Sequence, residues 1–151
     1  MTADGVRIII ASPADSLFSN SPYPVADQDS ATIEMGVDAW ELKDPAEAAA
    51  YYRRCVERGH SVAMSRLGRM CQEGLGVAQN DVEAVRLYTR AAEKGLPGAM
   101  NNLGCMYHEG RGVPKDEGEA LKLFRSGAVR GNPEARRNYD ALSTTLSHVG
   151  H

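Results

Sequence analysis

Cysteine is scarce in this sequence: three in 151 residues, an odd number, with no Cys-x-x-Cys among them. That excludes a disulfide scaffold and a zinc-finger framework. Aromatic residues make up only 6%, so a core has to come largely from Ala, Leu, Val and Met. Positive charge is not in excess, since 17 bases against 20 acids give −3; a nucleic-acid binder working by bulk charge is not expected. No apolar run approaches the ~20 residues of a membrane span, so no direct membrane insertion is expected. The amino-terminal stretch lacks the basic start and apolar run of a secretory signal. It carries Asp4 and Asp15 against Arg7 alone, unlike an Arg-rich transit peptide. A cytoplasmic, reducing setting is the expectation, with an organellar complex left open.

What is present is unevenly placed. Residues 1–43 hold seven acids (Asp4, Asp15, Asp27, Asp29, Glu34, Asp38, Glu41) against Arg7 and Lys43, or −5, and the remainder is +2. Pro13, Pro22 and Pro24 lie among Ser, Asn and Asp in the first part; the second is dense in Ala, Leu, Arg and Glu at helical spacing. The boundary falls before Asp44-Pro45-Ala46-Glu47, where Asp caps, Pro takes the first helical position and Glu closes a capping box. Residues 1–43 are therefore read as an acidic, largely irregular arm. Ile33, Val37 and Trp40, spaced i, i+4, i+7, mark a possible short helix over 31–41.

From residue 44 the chain repeats itself every 36 positions. Gly59, Gly95 and Gly131 align, as do Ala63, Ala99 and Ala135, and Ala48, Ala84 and Ala120. Leu67-Gly68 returns as Leu103-Gly104, and Gly74, Gly76, Val77 as Gly110, Gly112, Val113. Tyr52, Tyr88 and Phe124 hold one aromatic slot. Residues 59–94 and 95–130 are identical at 14 of 36 positions without a gap. The spacing predicts a helix A over 61–73, 97–109 and 133–147, with Ala63, Leu67 and Met70 on one face. Helix B runs from about 45, 81 and 117 to the glycine that ends it. Gly68 and Gly104 fall inside helices, where glycine costs roughly 1 kcal/mol against alanine, so a neighbouring helix is expected against their bare backbone. The loop glycines supply positive-φ positions and Val77 and Val113 an apolar plug. A lone pair of such helices cannot bury both apolar faces, so the pairs must stack. The order is a half repeat 44–60, repeats 61–95 and 97–131, a half repeat 132–147 with a polar outer face (Ser143, Thr144, Thr145, Ser147), and a tail at 148–151.

The pattern resembles the Sel-one-like repeat family, relatives of the tetratricopeptide repeats. It rests on Ala-x-x-x-Leu-Gly at 63–68 and 99–104, Gly-x-Gly-Val at 74–77 and 110–113, Asp-x-x-x-Ala at 116–120 and Tyr-x-x-Ala-Ala-x-x-Gly at 88–95. The resemblance implies an all-α solenoid of antiparallel helix pairs, a superhelix whose A helices line a concave face. It also implies an adaptor or scaffold without catalysis. The family's secreted branch carries a disulfide in each repeat; Cys55, Cys71 and Cys105 do not recur at 36, so this chain departs from that branch.

If A helices line the groove, the positions flanking Leu-Gly face a ligand. These are Ser65, Arg66, Arg69 and Gln72, then Asn101, Asn102, Cys105 and His108, then Arg137 and Asn138 beside Arg136. Arg offers a bidentate fork and Asn both a donor and an acceptor, which suits an acidic or extended segment of a protein partner. The competing reading is an ordinary solvated polar face. Residues 1–30, with strand-prone Val6-Arg7-Ile8-Ile9-Ile10, read either as an arm ordered by a partner, as an intramolecular pseudo-ligand, or as a floppy tail.

Metal and catalytic signals are thin. Cys105 and His108 share a face, but a metal needs further ligands, and Cys55 and Cys71 fall at packing positions. His148 and His151 stand near the terminus with nothing assigned to them. Gly-x-Gly-Val lacks the Lys-Ser/Thr of a phosphate loop, and neither Gly-x-Ser-x-Gly nor His-Glu-x-x-His occurs. Glu73 and Glu109 read as helix-end partners. No cofactor or metal is expected. The expected function is a non-enzymatic protein–protein interaction module, with an accessory structural subunit of a large complex, its arm threaded between neighbours, as the alternative.

Overall fold

The computed structural model describes residues 43–149; the expected arm, its short helix at 31–41 and the Val6–Ile10 stretch lie outside the described residues. Within them are six helices and no strand: α1 Pro45–Glu57, α2 Ser61–Glu73, α3 Asp81–Glu93, α4 Pro97–Glu109, α5 Glu117–Val129 and α6 Pro133–Val149. The odd-numbered helices are the B type of the repeat and the even-numbered ones the A type.

Each B helix begins on the cap that its sequence supplies. The Oδ1 atoms of Asp44, Asn80 and Asp116 accept the amides of Glu47, Glu83 and Glu119 at 3.2, 3.0 and 3.0 Å, each contact contributing about 1 kcal/mol. Each ends at the aligned glycine. Gly59, Gly95 and Gly131 take φ of 84°, 90° and 97°, and the next amide, of His60, Leu96 or Asn132, bonds back to Cys55, Ala91 or Gly127 at 3.0–3.2 Å. This left-handed cap satisfies carbonyls that the helix leaves open and reverses the chain onto itself.

Packing follows the repeat. Every helix lies against its neighbours in sequence, and α4 also meets α6. Ala48, Tyr52, Cys55, Ala63, Met64, Met70, Ala84, Tyr88, Ala91, Ala99 and Met106 are 0–1% exposed and form one continuous core, which Ala120, Phe124 and Leu142 extend at the far end. The glycines inside α2 and α4 are explained by their neighbours. A Cβ on Gly68 would lie 2.8 Å from the Tyr88 ring, and one on Gly104 2.7 Å from the Phe124 ring. The aromatic rings of α3 and α5 thus rest on the bare backbone of α2 and α4, the A helices before them.

The A-to-B loops touch the preceding pair. A Cβ on Gly76 would lie 2.3 Å from the carbonyl oxygen of Pro45, and one on Gly112 2.5 Å from that of Asp81. Each loop is therefore laid on the first residue of the B helix one repeat back, with Val77 and Val113 packed against the core as plugs. Arg111 adds a bidentate contact to the Asp81 carboxylate at 2.9 and 3.2 Å.

The last A helix differs from the other two. It has 17 residues where they have 13 and runs past 147 to Val149, because Leu146 stands where Gly74 and Gly110 stop α2 and α4. At the register of Gly68 and Gly104 it carries Asp140, paired with Arg136 at 3.3 Å.

Candidate functional site

The candidate ligand-facing residues come from α2, α4 and α6, and the structure divides them. Asn101 is only 6% exposed, and its Oδ1 accepts a hydrogen bond from Asn138 Nδ2 at 2.8 Å, with Cys105 Sγ 3.9 Å from the same nitrogen. This pair stitches α4 to α6. Gln72 accepts the Tyr88 hydroxyl at 2.8 Å, and its carbonyl accepts Gln79 Nε2 at 3.3 Å and Arg111 at 3.4 Å. His108 Nδ1 meets Glu117 Oε1 at 2.6 Å across the α4–α5 loop. Asn101, Asn138, Gln72 and His108 are thus committed to holding helices together, a role that sequence reading did not separate from ligand contact.

Five others keep part or most of their surface open to solvent. Ser65, Arg66, Arg69 and Asn102 are half-buried and Arg137 is exposed; Arg66 and Arg69 also interact within the chain. A further groove, of about 370 Å³, opens between α1 and α3 over Leu67 of α2 and is lined by Arg53, Val56, Glu57, Glu83, Arg86, Leu87 and Arg90. Sequence reading assigned nothing to it. A comparison of equivalent repeat positions was the signal that could have found it.

The local electrostatics follow from burial and pairing. Glu83 hydrogen-bonds Arg86 through both carboxylate oxygens, and that bond holds the Glu83 carboxyl below its ordinary range. Burial pushes the Cys71 thiol up, helped by Glu83, and burial likewise raises Cys105, helped by Glu109 and Glu134. Among the described residues no cysteine is in a disulfide, and Cys55 and Cys71 are buried, as small hydrophobes would be. Raised thiols hold little thiolate, the form that attacks or ligates. Among the described residues no three His, Cys, Asp or Glu side chains converge as metal ligands.

Tyr88 is 1% exposed, and burial lifts its phenol above the ordinary 10.0. The unfolded chain releases this proton near pH 10 and the folded chain only above it. The contribution is therefore complete below pH 10 and falls as pH rises further, by up to about 1.4 kcal/mol per pH unit. Denaturant midpoints measured across that range should fall less steeply in Tyr88→Phe than in the parent chain.

The Sel1 repeat profile matches residues 34–60, 61–96 and 97–132. The chain belongs to the Sel1 repeat family. Solved Sel1 repeat structures superpose on it. One is c5321, a protective antigen present in uropathogenic Escherichia coli strains, 43% identical over 64% of this chain with a TM-score of 0.61. Another is a Sel1 repeat protein from Oxalobacter formigenes, 33% identical over 64% of this chain with a TM-score of 0.61. The matches span 21% and 39% of those two longer chains. Helicobacter pylori cysteine rich protein B shares the fold at 19% identity, with a TM-score of 0.55 over 83% of this chain and 96% of that one. No curated protein matches the chain. Sel1 repeat proteins are in general protein-interaction scaffolds and typically non-catalytic, and protein partners are the corresponding expectation here. Among the described residues no helix is long and apolar enough to cross a membrane.

Proposed function

We propose that this Sel1 repeat chain is a non-enzymatic adaptor or scaffold that holds an acidic or extended segment of a partner protein along α2, α4 and α6. One observation carries the reading. The strip of positions 65, 66, 69 and 72 and its two equivalents on α4 and α6 holds no carboxylate: Ser65, Arg66, Arg69, Gln72, Asn101, Asn102, Cys105, His108, Arg137, Asn138, Ala141 and Thr144. An acid-free strip across the three A helices, carrying Arg66, Arg69 and Arg137, favours a negatively charged guest. Arg66, Arg69 and Arg137 supply forks for carboxylates, while the Asn101–Asn138 bond keeps two of the helices in register.

The test is affinity capture with the full-length chain, with bound proteins identified by mass spectrometry. Reversing Arg66 and Arg69 to Glu should cut capture roughly tenfold or more, as loss of charge-assisted contacts does, with helicity retained. Arg137→Glu, at an exposed position, keeps the test valid if the double variant loses helicity. Unchanged capture in both would remove the A-helix face from consideration.

A further inference from the structure

The repeat provides an internal control on the α1–α3 groove, because a residue that the fold requires returns 36 positions later. The groove floor does so: Val56, Leu67 and Leu87, 8%, 4% and 1% exposed, correspond to Ala92, Leu103 and Leu123. The carboxylates Glu57 and Glu83 return as Glu93 and Glu119, and Arg86 returns as Lys122. Two lining residues do not return at the next step. The slot of Arg53 holds Thr89 and then Arg125, and the slot of Arg90 holds Arg54 before it and Ser126 after it; since Thr89 and Ser126 fill these slots in the same stack, stacking does not demand a cation at either place. The two arginines come from facing helices. Glu83 is occupied by Arg86, and neither Arg53 nor Arg90 has an ion-pair partner within 4 Å among the described residues. Glu57 is the one other carboxylate on the rim, which leaves the groove with a cationic surplus above an aliphatic floor.

We infer that the α1–α3 groove is a second binding site, taking an acidic peptide segment in which an aliphatic side chain sits next to carboxylates. Guanidinium forks at Arg53 and Arg90 grip carboxylate oxygens with paired N–H bonds, and Val56, Leu67 and Leu87 cover the aliphatic group. At about 370 Å³ the opening lies at the small end of ligand sites, which suits one or two side chains of a segment. The inference rests on the protein-binding reading above but uses none of the A-helix residues, so the two can fail separately.

The experiment is fluorescence anisotropy of a labelled Glu-Leu-Glu-Leu-Glu peptide titrated with the full-length chain, beside a Gln-Leu-Gln-Leu-Gln peptide. Saturable binding of the first and not the second is expected. Arg53→Glu with Arg90→Glu should weaken it roughly tenfold or more, while Lys122→Glu, at an exposed position of α5, leaves it within about twofold, as for independent sites. If the reversal costs helicity, Arg53→Gln with Arg90→Gln takes its place. Absence of saturable binding, equal binding of the glutamine peptide, or indifference to the Arg53 and Arg90 variants overturns the site. Loss with the Arg66 and Arg69 variants alone also overturns it and assigns the peptide to the A-helix face.

Discussion

Replacing Gly104 by alanine should lower the melting temperature by several degrees, whereas the same exchange at Gly98, in the same helix, should raise it slightly. Gly98 has nothing within 4 Å of a built Cβ, so alanine there brings only its better helix propensity, about 0.5 kcal/mol. At Gly104 the new methyl carbon would stand 2.7 and 2.8 Å from two carbons of the Phe124 ring. That ring is 3% exposed, so it can shift only by displacing its close-packed neighbours. Overpacking of this kind costs about 3 kcal/mol, against about 1 kcal/mol regained from helix propensity. A net loss of about 2 kcal/mol corresponds to a fall of about 8 °C for a domain of this size. Thermal unfolding followed by circular dichroism separates the two variants by sign, and a rise with Gly104→Ala would show that the ring is not seated on the helix. Gly68 and Tyr88 give the same test one repeat earlier.

Gly112→Ala should be at least as damaging, for two reasons that add. Gly112 has φ of 73°, a left-handed conformation that costs an alanine about 1 kcal/mol or more. Its Cβ would also lie 2.5 Å from the carbonyl oxygen of Asp81 and 2.7 Å from its carbon. These are backbone atoms at the first turn of α3 and cannot rotate aside, so the loop must lift and the Arg111–Asp81 contact lengthens with it. A total loss of about 3 kcal/mol is expected. Gly131→Ala isolates the first cost, since Gly131 has φ of 97° with nothing within 4 Å, and should lose only about 1 kcal/mol. Guanidinium unfolding midpoints give both values. Equal losses at the two sites would mean that the loop makes no firm contact with α3.

The fold was legible because its determinants are local and repeated. Asp44, Asn80 and Asp116 announce helix starts, Gly59, Gly95 and Gly131 announce ends, and Gly68 and Gly104 point to a close neighbour before any neighbour is known. The candidate site was legible only in part. Helical periodicity gives the face on which Asn101 or His108 lies, but the partner lies on another helix, at Asn138 or Glu117, and its reach depends on how those helices pack. Gln72 was assigned to a ligand for the same reason, while its oxygen is used by Tyr88, sixteen residues on. Arg53 and Arg90 were not legible as a pair, because they lie 37 positions apart and only the fold brings α1 and α3 to one groove over Leu67.

Asp140 occupies the third copy of the slot that Gly68 and Gly104 hold open. A ring arriving there by the rule that seats Tyr88 and Phe124 would find a charged side chain, tethered by Arg136, instead of a hollow. One codon therefore works as punctuation: growth by the same step cannot pass α6. Any helix that covers this edge, whether from the same polypeptide or another, has to approach out of phase with the rest or present a small side chain at that point.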